Sequence, residues 1–505
     1  MPNAWILHIK AFAQEHGLSY ACALSTPECR ATYKKPVVEK RKKKSAVEQA
    51  PKEAPKEPSP IQAPKETKKK KIKFIVINEQ PNPFVEEPPV TKQITVEEAG
   101  LKISKLIRKK RYTITANFLS NVCNDVGTCL AFGEEVDKIK YFFNNFNNFH
   151  YKKSIIKIGD GDNGIVNEVH YQRLKFSAYT VIKSCKQITG DNLIYEYMVG
   201  KFFINTIYKK LPSFLETYNF SLKPKDLNKN KEFYNIKSSN KDDIKKAITV
   251  SCNDPTNILI QIEYLHNPII LRNILQSDNL FWSEDLMPTL FQIYHSLYSI
   301  KSDFTHYDLH RENILLYEPV NNKYIQYNYE FNNGTTISFK SRYIVKIIDY
   351  GRSYFNNRID NINSTDIKNI VDNIPDCNDD HSNYFLKISD SVAKENNYIL
   401  SYKNNQSHDL RLLKLISTEY GNKLLDNCYD EKRLTKINYK GEFGTSEKLT
   451  SSKVTINNIS EAYKTLLKII TKPQFINDNN NNFENMELFG QLTIYEDGRD
   501  MKFNK

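Results

Sequence analysis

No stretch of the 505 residues stays apolar for the roughly 20 positions that a membrane-spanning helix requires. The first residues, MPNAWILHIKAFAQ, interrupt a short apolar run with His8 and Lys10 and lack the layout of a secretory signal. The 8 cysteines include no CxxC pair, which argues for a reducing compartment rather than a disulfide framework. No internal repeat of useful length is visible. Together these absences predict an intracellular protein, cytoplasmic or nuclear, that makes no use of a membrane. A hydrophobic fraction of 40% and an aromatic fraction of 12% supply enough apolar side chain for a sizeable core, so disorder of the whole chain is excluded. The length implies at least two units, or one unit with large insertions.

The net charge of +13 suggests a nucleic-acid binder until its location is read. Residues 34–73 carry 15 Lys or Arg against 5 Glu, a net +10, which leaves the rest of the chain at +3. This Lys-, Pro- and Glu-rich text has almost nothing to bury and predicts a disordered, extended linker. It is either a solvated spacer or an address and tether that contacts acidic partners or nucleic acid non-specifically, since Lys neutralises phosphate without reading bases. Before it, residues 1–33 form a small module in which Trp5, Ile9 and Phe12 share helical spacing. After it, Thr95 to Arg111 runs from Thr and two Glu to a basic end, as an N-capped helix does. Helical spacing continues to residue 150 with Ile139, Phe142, Phe143 and Phe146. The expected units are 1–33, a linker over 34–90, a helical extension over 91–150, a β-rich unit over 151–265, and a helix-rich unit with insertions over 266–505. Asn-rich text near 356–364, 375–383 and 475–484 reads as surface loops.

Four motifs carry chemistry. The first, Gly159-Asp-Gly161-Asp-Asn-Gly164-Ile-Val166, is a GxGxxGxV run between two strand-like segments. Glycines let a backbone approach polyphosphate closely. A Walker A loop would need Lys and Ser or Thr where Ile165 and Val166 stand. A dinucleotide fold would need a helix next, and an EF-hand would need Glu at Tyr171. A strand–glycine loop–strand or a plain tight turn remains. The second is Lys183 at the end of an apolar strand, placed to reach phosphates, with Glu196 on the amphipathic stretch Asp191 to Ile204 as its carboxylate partner. The third is His306-Tyr-Asp308-Leu-His310-Arg-Glu-Asn313, an HxDxxxxN run ahead of an apolar strand. Asp308 can orient a hydroxyl proton and Asn313 can help hold a divalent metal. The fourth is Asp349-Tyr350-Gly351 at the end of a buried strand, where Gly351 is expected to free the turn and Asp349 suits a metal.

In this order and spacing the motifs resemble those of the eukaryotic-type protein kinase superfamily, over residues from about 154 to 420. The resemblance implies an α+β, two-lobed kinase-like fold, with the helical extension and basic linker preceding it. It also implies ATP under the glycine loop and Mg²⁺ on Asn313 and Asp349. By the same likeness Ile262-Glu263-Tyr264-Leu265 is similar to the hinge whose backbone bonds adenine, and Asp409 in SHDLRLL to the helix aspartate that braces the catalytic loop. The implied activity is phosphoryl transfer from ATP to a Ser/Thr-type protein acceptor, with Asp308, Lys183, His310 and Asn313 as catalytic residues. The text is also similar to kinase-like proteins of large nucleocytoplasmic DNA viruses, which would add the virion or the infected cell as locations. Three departures keep alternatives open. Tyr307 stands where HRD has Arg, so activation through a phosphorylated loop lacks its basic partner. His310 stands where protein kinases carry Lys, and HxDxHxxN is similar to small-molecule kinases of the aminoglycoside and choline kinase type. No clear APE motif follows Gly351. A pseudokinase scaffold is the third reading, although every residue type that catalysis needs is present. The stretch Tyr317 to Arg342 predicts an extended hairpin.

Overall fold

The computed structural model describes residues 134–147, 150–160, 164–186, 193–222, 240–254, 256, 258–377, 399–438 and 453–504, with Ala11, Phe12, Glu15 and Thr32 before them. Backbone contacts divide the chain into units Met1–Thr91 and Lys92–Lys505. In the first, Phe12 is helical and buried. Trp5, Ile9, the Lys-rich linker and the helix expected at Thr95 to Arg111 lie outside the described residues.

The second unit mixes helix and sheet. Helix α1 (Glu134–Phe142) leads into β1 (Lys152–Asp160), β2 (Gly164–Arg173) and β3 (Phe176–Cys185). Helix α2 (Leu193–Val199) continues through a wider turn over Gly200–Ile204 and is followed by β4 (Thr217–Leu222), α3 (Lys241–Asn253) and β5 (Ile258–Glu263). The strands form one sheet in the order β1-β2-β3-β5-β4, antiparallel throughout. Strand period puts Ala178 and Ile182 on one face, where they pack with Ile139, Phe142, Phe143 and Phe146. The apolar spacing before residue 150 thus serves as a cover for that face.

The second half begins with β6 (Ile269–Ile270) and three consecutive helices, α4 (Leu271–Ser277), α5 (Asn279–Glu284) and α6 (Leu286–Ile300). Helix α6 is apolar nearly all round and buried along almost its whole length, which makes it the axis of the main core. Next come β7 (Phe304–Thr305), β8 (Ile314–Tyr317), β9 (Lys323–Glu330), β10 (Thr336–Ser341), β11 (Ile344–Ile347), β12 (Tyr354–Asn357) and β13 (Ile362–Asn363). The chain closes with α7 (Ser364–Asp372), α8 (Arg411–Asp426), α9 (Ile459–Ile470), α10 (Pro473–Asn482), β14 (Glu487–Tyr495) and β15 (Lys502–Asn504). Asn363 and Asp366 form a reciprocal capping box on α7, and Asn458 caps α9. The hairpin expected between Tyr317 and Arg342 is β9–β10, and β14 joins it in parallel to give the order β10-β9-β14-β15.

Two expectations are corrected here. The Asn-rich text at 475–484 falls largely in α10, started by Pro at its first turn. Buried Asn479 uses both ends of its amide there, accepting from Lys340 N at 2.8 Å and donating to Lys340 O at 3.0 Å. A residue read as loop-forming therefore satisfies the edge of β10. The thiols expected to be free are not all so, since Cys252 at the end of α3 and Cys377 after α7 form a disulfide across 125 residues. Their convergence comes from the packing of α3 on α7, which no local spacing encodes.

Gly200 is a close-approach site. A Cβ there would stand 2.0 Å from Thr217 Oγ1. Thr217 cannot retreat, because Asn205 accepts from its N–H at 2.9 Å and donates to its carbonyl at 2.6 Å. Gly200→Ala is expected to cost about 1–3 kcal/mol through overpacking, read as a lower midpoint in urea unfolding. An unchanged midpoint would show that the contact relaxes freely.

Candidate functional site

Lys183 lies on the face of β3 opposite the one covered by α1, because the side-chain period of a strand is two. It faces α2, in which every residue from Leu193 to Val199 is buried. Glu196 is 3% exposed, and its two oxygens lie 2.8 and 2.7 Å from the Lys183 ammonium. Asp349 Oδ1 lies 3.9 Å from the same nitrogen. Tyr195, next to Glu196, donates to Ser353 O at 2.7 Å, and its hydroxyl lies 2.8 Å from Ser364 Oγ. Helix α2 is thereby tied both to the strand lysine and to the segment that follows Asp349.

The HxDxxxxN segment follows β7 and is held from three sides. Asp409 accepts from His306 N at 2.7 Å and Tyr307 N at 3.0 Å. The buried His306 ring donates through Nε2 to Ile348 O at 2.9 Å and takes Asp308 N at 3.3 Å, so it is the neutral tautomer with its proton on Nε2. Burial lowers its pKa, in keeping with that form, despite the opposing pull of Asp308. Asn313 donates to Asp308 O at 2.9 Å, and its carbonyl accepts from Ile348 N at 3.0 Å. One hydrogen-bond network therefore joins Asp308, Asn313 and the residue before Asp349. Tyr307 takes a left-handed conformation (φ 64°) and is fully buried. It donates to Lys403 O at 2.7 Å and packs its ring 4.7 Å from His408. Where HRD would place a guanidinium, this chain has a fixed aromatic anchor.

The turn after β11 differs from expectation. Asp349 itself, with φ 69°, supplies the left-handed residue, and Gly351 does not have positive φ. Aspartate tolerates this region better than most residues. Its side chain is 37% exposed. Burial pushes the carboxyl upward, but the Lys183 ammonium foremost, with His306 and Arg352, outweighs it and holds the group below the ordinary carboxylate value. Tyr350 is buried, accepting from Leu215 N at 3.0 Å and donating to Ile347 O at 2.7 Å.

The other predicted residues are placed less directly. Gly159, next to the last residue of β1, stands opposite Val166, where a Cβ would be 3.3 Å from Val166 Cβ. Gly164 opens β2, where a Cβ would stand 3.0 Å from Ser184 O. Gly161 lies outside the described residues. Val166 pairs across β2–β3 with Lys183. The Glu263 side chain turns toward Lys346, 3.3 Å away, and its N–H is taken by Glu216 O at 2.8 Å. Leu265 is buried beside it. His310 is engaged by Glu312, with Nδ1 2.8 Å from Oε2, while Nε2 stays 3.6 Å from Asp308 Oδ1. The group that does bond Asp308 is one the motifs did not name: Arg411 donates to Oδ1 at 2.7 Å. Its only signal in the sequence was its place two residues after Asp409.

No family model and no curated protein matches this chain. Among solved structures it is similar to a crystal structure described as a kinase domain, at 17% identity over 42% of this chain and 53% of that one, with a TM-score of 0.24. The chain thus spans about half the length of that structure.

Asn313 and Asp349, the residues that the sequence likeness would give to a cation, would make a sparse donor set. Nδ2 of Asn313 is committed to Asp308 O, its backbone carbonyl accepts from the N–H of Ile348, the residue before Asp349, and the Asp349 side chain is partly exposed. Among the described residues no group of three or more His, Cys, Asp or Glu is arranged to hold a metal. Such a pair suits Mg²⁺, which keeps several waters and relies on phosphate oxygens, rather than an all-protein cage.

Asp409 offers a test of this architecture. Its carboxyl is pushed up to about 7 by burial, against the pull of the two backbone N–H groups. A pKa above the unfolded value means that the folded chain binds the proton more tightly. This contribution to stability is therefore full below about pH 4 and is lost as pH rises through 7. Asp409→Asn is expected to flatten that part of the stability profile and to cost about 1–3 kcal/mol, because one N–H then faces an amide NH₂. Urea unfolding between pH 4 and 8 measures both, and an unaltered slope would remove Asp409 as the titrating group.

Proposed function

We propose that this chain is an ATP-dependent phosphotransferase acting on a hydroxyl, of protein-kinase type with a Ser or Thr acceptor. The observation that carries the reading is the convergence of Lys183, Glu196 and Asp349 around one ammonium, with Asp308 and Asn313 tied to the same turn through Ile348. In this reading Lys183, positioned by Glu196, holds phosphate oxygens, and the glycine-bearing strands β1 and β2 cover them. In the same reading the backbone at Glu263 to Leu265 would bond adenine. Asp308 accepts or orients the acceptor hydroxyl proton. Asn313 and Asp349 would hold Mg²⁺, which when bound neutralises phosphate charge and aligns the transferring group.

A small-molecule hydroxyl acceptor is the second reading, favoured by His310 within HxDxHxxN. The likeness to viral kinase-like proteins rests on sequence text alone. Incubating the protein with labelled ATP, Mg²⁺, casein and a panel of small alcohols separates the readings. Label on protein supports the first and label on an alcohol the second. ATP binding without transfer to anything would mark a scaffold and defeat the enzyme proposal.

A further inference from the structure

We propose that Arg411 is the positioning residue that aims the Asp308 carboxylate, the part that sequence spacing would assign to His310. The inference rests on the phosphotransferase reading and adds to it a residue 103 positions away from the acid it serves.

Three observations converge. Arg411 donates to Asp308 Oδ1 at 2.7 Å, while the nearer candidate, His310, keeps Nε2 at 3.6 Å and commits Nδ1 to Glu312. A charge-assisted bond of that length fixes a carboxylate far better than an imidazole beyond bonding distance. Second, Arg411 is the first residue of the 16-residue helix α8. A cation at a helix N-terminus opposes the macrodipole, so helix stability alone disfavours arginine there, and the Asp308 carboxylate is what compensates it. Third, Asp409 lies just ahead and clamps the backbone of His306 and Tyr307. The N-terminal end of α8 therefore holds the loop twice: the backbone by Asp409, the working carboxylate by Arg411. With Oδ1 tethered, rotation of the carboxylate is restricted and Oδ2 becomes the oxygen that meets the acceptor hydroxyl.

The test compares the full-length wild type with Arg411→Ala, Arg411→Lys and His310→Ala. Transfer from labelled ATP to casein is measured with hydrolysis to water as an acceptor-independent rate, alongside nucleotide affinity and melting temperature. Arg411→Ala is expected to lose about a hundredfold in kcat, the scale of a misplaced reacting group, with nucleotide affinity and melting temperature held. Added guanidinium should restore part of the Arg411→Ala rate, Arg411→Lys should fall between, and His310→Ala should lose less than Arg411→Ala. A wild-type rate in Arg411→Ala, a loss of rate that follows a loss of melting temperature, or no response to guanidinium overturns the inference while leaving the enzyme reading intact. A wild type that neither transfers nor hydrolyses ATP defeats both.

Discussion

Asp308→Asn is expected to lower phosphoryl transfer by roughly a thousandfold while nucleotide affinity stays at the wild-type level. The amide matches the carboxylate in shape but cannot take the acceptor's proton, and it presents an NH₂ where an acceptor atom is needed. Of the contacts that hold the loop, the Arg411 bond alone uses this side chain, and an amide oxygen can still accept it. The backbone is held by Asp409, the N–H of residue 308 by His306, and its carbonyl by Asn313. In the proposed reading nucleotide binding draws on Lys183 and the opposite strands, so the two properties should separate cleanly. Steady-state transfer with a parallel nucleotide titration measures the split. Full activity in the variant would remove Asp308 from the chemistry, and equal loss of binding would make its role structural.

Lys183→Met is expected to lose transfer and to destabilise the fold by about 3 kcal/mol, because it strands Glu196 in the interior without its cation. Glu196 is 3% exposed and Lys183 18% exposed, so the cost comes mainly from the carboxylate left behind. The double variant Lys183→Met/Glu196→Leu should recover most of the stability, since an apolar pair of similar volume fits among the buried Tyr195, Tyr197 and Met198. It should recover none of the transfer. Chemical unfolding of the four-member cycle isolates the coupling, and additive single effects would mean that the ion pair contributes nothing beyond its parts.

Motif text made the candidate site legible where it is built from residues close together in the chain. Glu196 stood out by its apolar neighbours, and the structure brings it to Lys183. Asp308, Asn313 and Asp349 stood out by loop spacing, and Ile348 joins them. The β9–β10 hairpin was readable from alternation. Other features were not, for identifiable reasons. Composition placed loops at 475–484, but a buried amide pairing with Lys340 turned most of that text into helix. Gly351 looked like the flexible turn residue, yet the left-handed conformation falls on Asp349. Cysteine spacing carried no hint that Cys252 and Cys377 meet, because their approach depends on α3 packing against α7.

Strand period, helix caps and the order of the four motifs are local properties, set by backbone geometry and by which side chains can share a face, and the amino-acid sequence determined them unaided. Tertiary structure alone decided which distant segments meet. Arg411 takes Asp308 in preference to the nearby His310, and β14 closes beside β9 although Glu487 lies 164 positions after its partner Lys323. Those pairings follow from burial and long-range packing. Charged groups far apart in the chain are desolvated together, and each must find the partner that the folded core leaves within reach.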